Sequence, residues 1–204
     1  IKNPLTPIQL TIDRLKNKYS SELSEKNNEN FKENLKIINN QIKQIEKLVN
    51  EFSDFARMPK PILNNNNLVL IINDNISLLK QIDTSIEFNF VKNKDKILLN
   101  SDKEQISRVF LNLIKNSIES IKEKDQKTNN INKKISIELI EDDKHISVII
   151  KDTGIGFKDL KNDIRDILNP YFTTKKDGTG LGLSIVNKII NDHNGTIKFK
   201  SIDD

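Results

Sequence analysis

The sequence predicts an α+β protein in which a helical hairpin precedes a two-layer α/β sandwich. In residues 1–58 the apolar side chains recur at spacings of three and four, which is the period of a helix. Beyond residue 67, helical periods alternate with short strands of period two, an order typical of helices that cover one face of a mixed sheet. The 204 residues accommodate two domains of this kind. We therefore expect a hairpin domain over 1–58, a linker over 59–67 and an α/β domain over 68–204.

The composition excludes several classes of function. The chain has no cysteine, which rules out a disulfide scaffold, a cysteine-ligated metal and a thiol nucleophile. Lys+Arg number 33 against 29 Asp+Glu, without a basic block, and aromatic residues are 5%, so we expect no nucleic-acid partner. No run of 18 apolar residues and no signal-peptide core occur. We expect a cytoplasmic portion, with any membrane anchor outside this chain.

Each hairpin helix carries one apolar seam, and the polar stretch 20–28 separates the two helices. Because one hairpin buries two seams poorly, we expect a homodimer through residues 1–58 that forms a four-helix bundle. The alternative is that the seams pack on the α/β domain of the same chain. The seam residues are Leu5, Ile8, Ile12, Leu15 and Tyr19 in the first helix and Phe31, Leu35, Ile38, Ile42, Ile45, Val49 and Phe52 in the second.

Pro59 and Pro61 end the second helix, because proline lacks an N–H and disfavours a helical residue before it. The run 64–67, four asparagines, is predicted to be a polar connector. Beyond it the periodicity predicts helices at 68–82, 102–124 and 181–192, and strands at 86–90, 97–99, 135–139, 146–150 and 196–200.

The first motif that indicates chemistry is NLIKNSIES, residues 112–120. Asn112 and Asn116 lie four apart and therefore share one helical face. An amide oxygen there can hold Mg²⁺, which prefers hard oxygen ligands and takes few protein groups alongside phosphates and water. The alternative is that both asparagines are only solvated.

The second motif, KDTGIGF at 151–157, follows a predicted strand, so that Asp152 stands at the strand end. A carboxylate only accepts hydrogen bonds, which suits the amino group of adenine and disfavours the oxygen of guanine. Gly154 and Gly156 allow a close approach of the backbone to a ligand. A simple turn is the alternative explanation.

The third and fourth motifs are NPYFTTK at 169–175 and GTGLGL at 178–183, the latter opening a helix. Backbone N–H groups in a glycine-rich turn, together with the positive end of a helix, form an anion site suited to nucleotide phosphates. Here the alternative is a helix start with flexible glycines.

The ordered set NLIKNSIES, DTGIGF, PYFTTK and GTGLGL resembles the N, G1, F and G2 boxes of sensor histidine kinases, whose ATP-binding domain is related to the gyrase, Hsp90 and MutL ATPases. The opening IKNPLTPI resembles the segment just after the phospho-acceptor His-Glu pair of these kinases. Its sequence is most similar to that of the NtrY-like nitrogen-regulation type. The resemblance covers nearly the whole chain.

The resemblance implies that ATP and Mg²⁺ are the cofactors. It assigns Mg²⁺ to Asn116 and the adenine amino group to Asp152. It also gives Asn112 a place in the ATP site, where the related ATPases carry a water-activating glutamate; an amide cannot act as a general base, which disfavours plain hydrolysis. The remaining residues that it assigns to ATP binding are Lys115, Gly154, Gly156, Lys175, Gly178, Thr179, Gly180, Leu181 and Gly182.

The resemblance further implies transfer of the γ-phosphoryl group to a histidine and then to an aspartate of a response regulator receiver domain. The acceptor histidine would stand just before Ile1, so we expect these residues by themselves not to autophosphorylate. His145 and His193 do not match the acceptor position and are expected to be structural. Asn3 matches the position that orients water during dephosphorylation of the response regulator.

Two other functions stay open. One is an ATPase clamp of the gyrase and Hsp90 kind, which the amide at Asn112 and the hairpin seams disfavour. The other is a degenerate kinase that serves as a dimeric scaffold, for which failure to bind nucleotide would be diagnostic.

Overall fold

The computed structural model of the chain describes most of its length. Asn3 lies outside the part that it describes, so its predicted role stays a prediction. The described residues are 5–20, 23–128, 131–157, 164–175 and 178–201.

The chain divides into two compact units. The first contains residues 1–58 together with 174–179, and the second contains 59–173 together with 180–204.

A helical hairpin makes up most of the first unit. Helix α1 spans Thr6–Tyr19 and has a proline in its first turn, where the missing N–H would have no helical partner. Helix α2 spans Glu25–Ala56, and Arg57 is its C-cap. The second helix therefore ends just before Pro59, as the sequence predicts.

Only part of the apolar seam is buried within this hairpin. Its core is Ile12, Leu35 and Ile42, with Leu5 and Phe31 packed against it. Other members of the predicted seam are exposed to between 39% and 49% in the single chain, and they are Ile8, Leu15, Ile38, Ile45, Val49 and Phe52.

The described residues of the second unit form two small sheets. Strand β1 (Asn64–Asn67) pairs antiparallel with β3 (Leu98–Ser101). Strand β2 (Glu87–Lys92) pairs in parallel with β4 (Lys134–Glu141), which pairs antiparallel with β5 (Ile146–Asp152). β4 is therefore the central strand of a mixed sheet.

Three helices accompany these sheets, α3 (Leu68–Ile82), α4 (Lys103–Lys127) and α5 (Gly182–Asp192), together with a short 3-10 helix at Ile164–Leu168. α4 contacts α3, α5, β4 and β5. The core of the unit consists of alternate residues of β4 and one row of residues of α4, which are buried. Its members with at most 1% exposure include Ile114, Ile121, Ile135, Ile137 and Leu139. The sandwich that the sequence predicts is confirmed.

Two segments differ from the sequence prediction. The asparagine run 64–67, predicted to be a connector, forms β1, because strand pairing uses backbone groups that any residue supplies. The asparagine side chains make further hydrogen bonds. Asn66 Nδ2 donates to the Ser101 carbonyl at 2.7 Å, and Asn67 caps α3 by accepting from the Val69 N–H.

The second difference is the strand predicted at 196–200. These residues keep the alternation of exposed and half-buried side chains but form no strand. Phe199 packs edge-to-face on Phe157, with ring centroids 6.1 Å apart. The apolar pattern is therefore satisfied by ring packing, whereas a strand also requires a backbone partner.

An ion pair joins the end of α3 to α4. The Asp83 carboxylate lies 2.7 Å from Lys122 Nζ and accepts from the N–H and hydroxyl of Ser85. The hydrogen bond from Lys122, followed by that from the Ser85 hydroxyl, lowers the pKa of Asp83 from 3.8 to about 2. Because this pKa is lower in the folded chain, Asp83 stabilises the fold above pH 3.8, and this stabilisation is lost as the pH falls towards 2.

We predict that Asp83→Asn lowers the free energy of unfolding at pH 7 by about 1 kcal/mol, as expected for a partly exposed ion pair. The variant should also lose less stability than the unmodified chain between pH 4 and pH 2. Urea unfolding at a series of pH values measures both effects. Asp74→Asn, which removes an exposed carboxylate from the same helix, is the matched control. Equal acid sensitivity of Asp83→Asn and the unmodified chain would contradict the assignment.

Candidate functional site

One face of α4 carries the polar residues of the first motif. Asn112, Asn116 and Ser120 follow one another at intervals of four, and all three are half-buried. Asn112 Nδ2 donates to the Arg108 carbonyl at 2.8 Å, which fixes the orientation of its amide. Lys115, next to Asn116, is exposed.

The first glycine motif is attached to this face by Ser120. The Ile155 N–H donates to Ser120 Oγ at 3.1 Å. A β-carbon on Gly154 would lie 2.0 Å from Ser120 Oγ and 2.6 Å from its Cβ, so only glycine fits here. Sequence reasoning did not single out Ser120. The available signal was its spacing, because it stands one helical turn beyond Asn116.

Asp152 is the last residue of β5 and is exposed. Its Oδ1 accepts from the Gly154 N–H at 2.9 Å and so closes the turn that follows the strand. The motif therefore forms a turn, as the alternative explanation predicts. The Asp152 carboxylate is also exposed, so a ligand could reach it. Gly156 has φ +68°, a conformation that favours glycine.

The second glycine motif approaches the same helix at Gly182, the first residue of α5. A β-carbon there would lie 3.1 Å from Asn112 Oδ1. The residue before it, Leu181, is fully buried, so its side chain belongs to the core and only its backbone could meet a ligand. No side chain caps the start of α5, which leaves its first N–H groups for other acceptors.

Gly180 joins this motif to the NPYFTTK segment. The Tyr171 N–H donates to the Gly180 carbonyl at 3.0 Å. Gly180 has φ +69°, and a β-carbon on it would lie 2.4 Å from the Tyr171 carbonyl carbon. Glycine is thus required at this position by both conformation and space.

Three predicted site residues belong to the first unit. The Gly178 N–H donates to the Lys175 carbonyl at 3.2 Å. The Thr179 hydroxyl donates to the Glu51 carboxylate. The predicted roles of Lys175, Gly178 and Thr179 towards a nucleotide stay predictions.

Two structural features are absent from the described residues. Within them no three side chains of His, Cys, Asp or Glu converge as a metal cluster. Among the described helices, none combines the length and the apolar character needed to cross a bilayer.

Comparison with known families identifies the chain. Residues 101–204 match the family described as histidine kinase-, DNA gyrase B- and HSP90-like ATPase, and residues 1–61 match the His Kinase A (phospho-acceptor) domain. The chain belongs to the sensor histidine kinases. This confirms the resemblance that the four ordered motifs indicate, and with it the fold class of a helical hairpin followed by an α/β domain.

Curated relatives of this kinase are similar over almost its whole length. A putative NtrY-like sensor histidine kinase of Rickettsia felis is 36% identical over 197 residues, covering 97% of this chain and 31% of the relative. The nitrogen regulation protein NtrY of Azorhizobium caulinodans is 33% identical over 199 residues, covering 97% of this chain and 25% of the relative. The chain thus spans less than a third of the length of these two proteins.

Solved structures are similar in fold. Histidine kinase ThkA, in a complex with the response regulator protein TrrA, aligns with a TM-score of 0.63 at 25% identity, covering 94% of this chain and 52% of that one. Acinetobacter baumannii histidine kinase AdeS aligns with a TM-score of 0.59 over 95% of this chain and 88% of that one. At 16% identity the second similarity shows the fold alone.

We predict that Gly154→Ala lowers the free energy of unfolding by about 1–3 kcal/mol, the usual cost of overpacking, because its methyl group would overlap Ser120. Ser120→Gly removes two of the three atoms that the methyl group would meet within 3 Å and leaves Asp152 Oδ1, at 2.8 Å, as the third. The double variant Gly154→Ala/Ser120→Gly should therefore be more stable than the sum of the two single effects allows. Urea unfolding of the four proteins measures this coupling. Strict additivity would show that the two residues are not in contact.

Proposed function

We propose that this chain is the kinase core of an NtrY-like two-component sensor. Residues 68–204 would bind ATP with Mg²⁺, residues 1–58 would form the dimerisation and phosphotransfer hairpin, and 59–67 would link them. The observation that best supports an ATP site is the convergence of both glycine motifs on one face of α4. Gly182 lies against Asn112 and Gly154 against Ser120, with Asn116 between them on that face.

In this proposal Asp152 selects the base. Its exposed carboxylate would accept a hydrogen bond from the adenine amino group, and the guanine oxygen would meet only an acceptor. The turn closed by the Gly154 N–H holds the carboxylate at the end of β5. The phosphates would lie at the second glycine motif, where Gly180 and the uncapped start of α5 offer backbone N–H groups.

Asn116 is the residue proposed to hold Mg²⁺ through its amide oxygen. The fit is chemical: Mg²⁺ takes few protein oxygens when phosphates and water complete its octahedron. When bound, the ion would neutralise negative charge on the phosphates. Lys115, Lys175 and Thr179 are proposed as further groups that contact the nucleotide.

The proposed reaction is phosphoryl transfer. The bond from the γ-phosphorus to the oxygen that bridges to the β-phosphate breaks, a phosphorus–nitrogen bond to a histidine imidazole forms, and ADP leaves. The imidazole is itself the nucleophile, so no carboxylate is needed to activate water. Asn112, which cannot act as a base, is compatible with this chemistry and disfavours an ATP-hydrolysing clamp.

The exposed half of the hairpin seam supports a homodimer through residues 1–58. Residues such as Ile38, Ile45 and Phe52, each at least 44% exposed in the single chain, would be covered by a second hairpin. The receiver domain of a response regulator is proposed as the partner. The structure of ThkA in complex with a response regulator supports this by similarity. Asn3 is proposed to assist dephosphorylation of that partner.

For the intact protein we propose a cytoplasmic kinase portion with any membrane anchor outside these residues. Nucleic acid is not proposed as a partner, because the 33 basic residues are interspersed with 29 acidic ones along the chain.

We predict that the chain binds ATP in the presence of Mg²⁺ and binds GTP much more weakly. Asp152→Asn should weaken ATP binding about 10- to 100-fold, the range for loss of one hydrogen bond to a charged group. Isothermal titration calorimetry measures the affinities. Asp143→Asn, which removes an exposed carboxylate from the turn between β4 and β5, is the control and should bind like the unmodified chain.

The other outcomes of this titration point to the alternatives. A folded chain that binds no nucleotide would favour the scaffold function. Binding accompanied by steady ATP hydrolysis would favour the clamp. Equal binding of ATP and GTP would remove Asp152 as the residue that selects adenine.

We also predict that these 204 residues do not label themselves with the γ-phosphate of radioactive ATP. His193 has both ring nitrogens engaged, Nε2 with the Asp102 N–H at 3.0 Å and Nδ1 with the Ile189 carbonyl at 2.8 Å. His145 lies in the turn before β5, outside the motifs. Acid-labile label on the unmodified chain that His145→Gln or His193→Gln removes would contradict this prediction.

A further inference from the structure

The segment that leaves the hairpin is held against the start of α4 by two side chains. Gln105 Nε2 donates to the Pro59 carbonyl at 3.0 Å. The Ile62 N–H donates to Asp102 Oδ2, also at 3.0 Å. We call these two hydrogen bonds the linker clasp. All four residues lie in the second unit, so the clasp attaches the linker to the α/β side of the chain.

Asp102 anchors the clasp within the fold. Its Oδ1 accepts from the Gln105 N–H at 3.0 Å and thereby caps α4. Its own N–H donates to His193 Nε2 at 3.0 Å, which connects the end of α5. Burial raises the pKa of Asp102, but hydrogen bonds from backbone N–H groups, that of Ile62 first, bring it below its usual value. The carboxylate is therefore charged at neutral pH, and its hydrogen bonds are charge-assisted.

Gln105 makes its contact at a cost to the fold. The residue is only 8% exposed, and its Oε1 is buried without a hydrogen-bond partner among the described residues. An apolar side chain of similar size would avoid that cost. A polar side chain at position 105 provides the hydrogen bond to the Pro59 carbonyl, which an apolar side chain could not make.

The clasp determines how much chain connects helix α2 to the second unit. α2 ends at Ala56 and the first clasped residue is Pro59, so only residues 57–58 lie between them. The division into two units falls at the same place, after Met58. Without the clasp the connection would extend to residue 63, just before β1 is fixed by its pairing with β3.

We infer that the linker clasp formed by Asp102 and Gln105 is a conformational control that confines the hinge between the hairpin and the α/β unit to residues 57–58. Opening it would lengthen the connection from two residues to seven, 57–63. Because the root-mean-square span of a flexible linker grows with the square root of its length, that span would increase about twofold. The inference concerns the covalent connection and does not depend on nucleotide binding.

The test is a distance measurement by pulsed electron paramagnetic resonance. The chain has no cysteine, so Lys43→Cys on α2 and Ser77→Cys on α3, both exposed, place one spin label on each unit. Dilution with unlabelled chain removes distances between protomers. The clasp is opened by Gln105→Met, by Asp102→Asn and by both together. Asp102→Asn keeps an oxygen to cap α4 but can face the Ile62 N–H with an amide NH₂.

We expect the distance distribution of the double variant to be about twice as wide as that of the parent, by the same square-root scaling, with intermediate widths for the single variants. Glu104→Met, an exposed position on the same helical turn, is the control and should leave the width unchanged. Gln105→Met should also keep the melting temperature of the parent, because it removes a buried oxygen without a partner. If the double variant fails to fold, Gln105→Met alone is therefore sufficient to test the inference.

Distance distributions of equal width in the parent and in Gln105→Met would overturn the inference, whether both distributions are narrow or both are wide. ATP titration of the same variants provides a separate readout. A wider distribution with unchanged ATP affinity supports the clasp as a control of the hinge. A wider distribution in a chain that binds no ATP would refute the proposed function and leave the clasp intact.

Discussion

Burial of one row of α4 is the constraint on which the α/β unit depends. Ile114 and Ile121 are fully buried, and Ile137 of β4 is 1% exposed. Each such side chain contributes roughly 1.5–3 kcal/mol when it leaves water. Since a helix is rigid, fixing this row also fixes the rotation of the adjacent row with Asn112, Asn116 and Ser120. The polar face is thus positioned by apolar packing, and the glycine motifs need only approach a surface that is already oriented.

Packing alone would allow the helices to slide, and buried polar contacts set their register. Asn75 of α3 is 3% exposed, yet its amide donates to the Ile71 carbonyl and exchanges hydrogen bonds with the Ser107 hydroxyl of α4. A shift of either helix would leave these groups buried and unpaired, which is costly. The Asp102–His193 contact plays the same part where the end of α5 meets the start of α4.

Most of the fold follows from the sequence, because α3, α4, β4 and β5 have strong periods, and the family follows from the order of the four motifs, whereas the roles of the predicted site residues stay predictions. The strand at 64–67 could not be predicted, since four asparagines have no apolar alternation and pair through their backbone. The missing strand at 196–200 has the right alternation, and only the tertiary structure shows that Phe199 packs on Phe157 instead. Ser120 was missed because its role is to contact another loop, and such long-range contacts leave no local pattern.

The backbone of Tyr171 connects the NPYFTTK segment to the second glycine motif. Tyr171 has φ +68°, which is unusual for a bulky residue, and its N–H is bonded to the carbonyl of Gly180. A residue in this conformation persists only where its surroundings enforce it. The conformation of Tyr171 therefore depends on the position of Gly180. The chain has only two tyrosines and the Tyr171 side chain is 54% exposed, so tyrosine fluorescence has few sources in this chain and one of them lies at this contact.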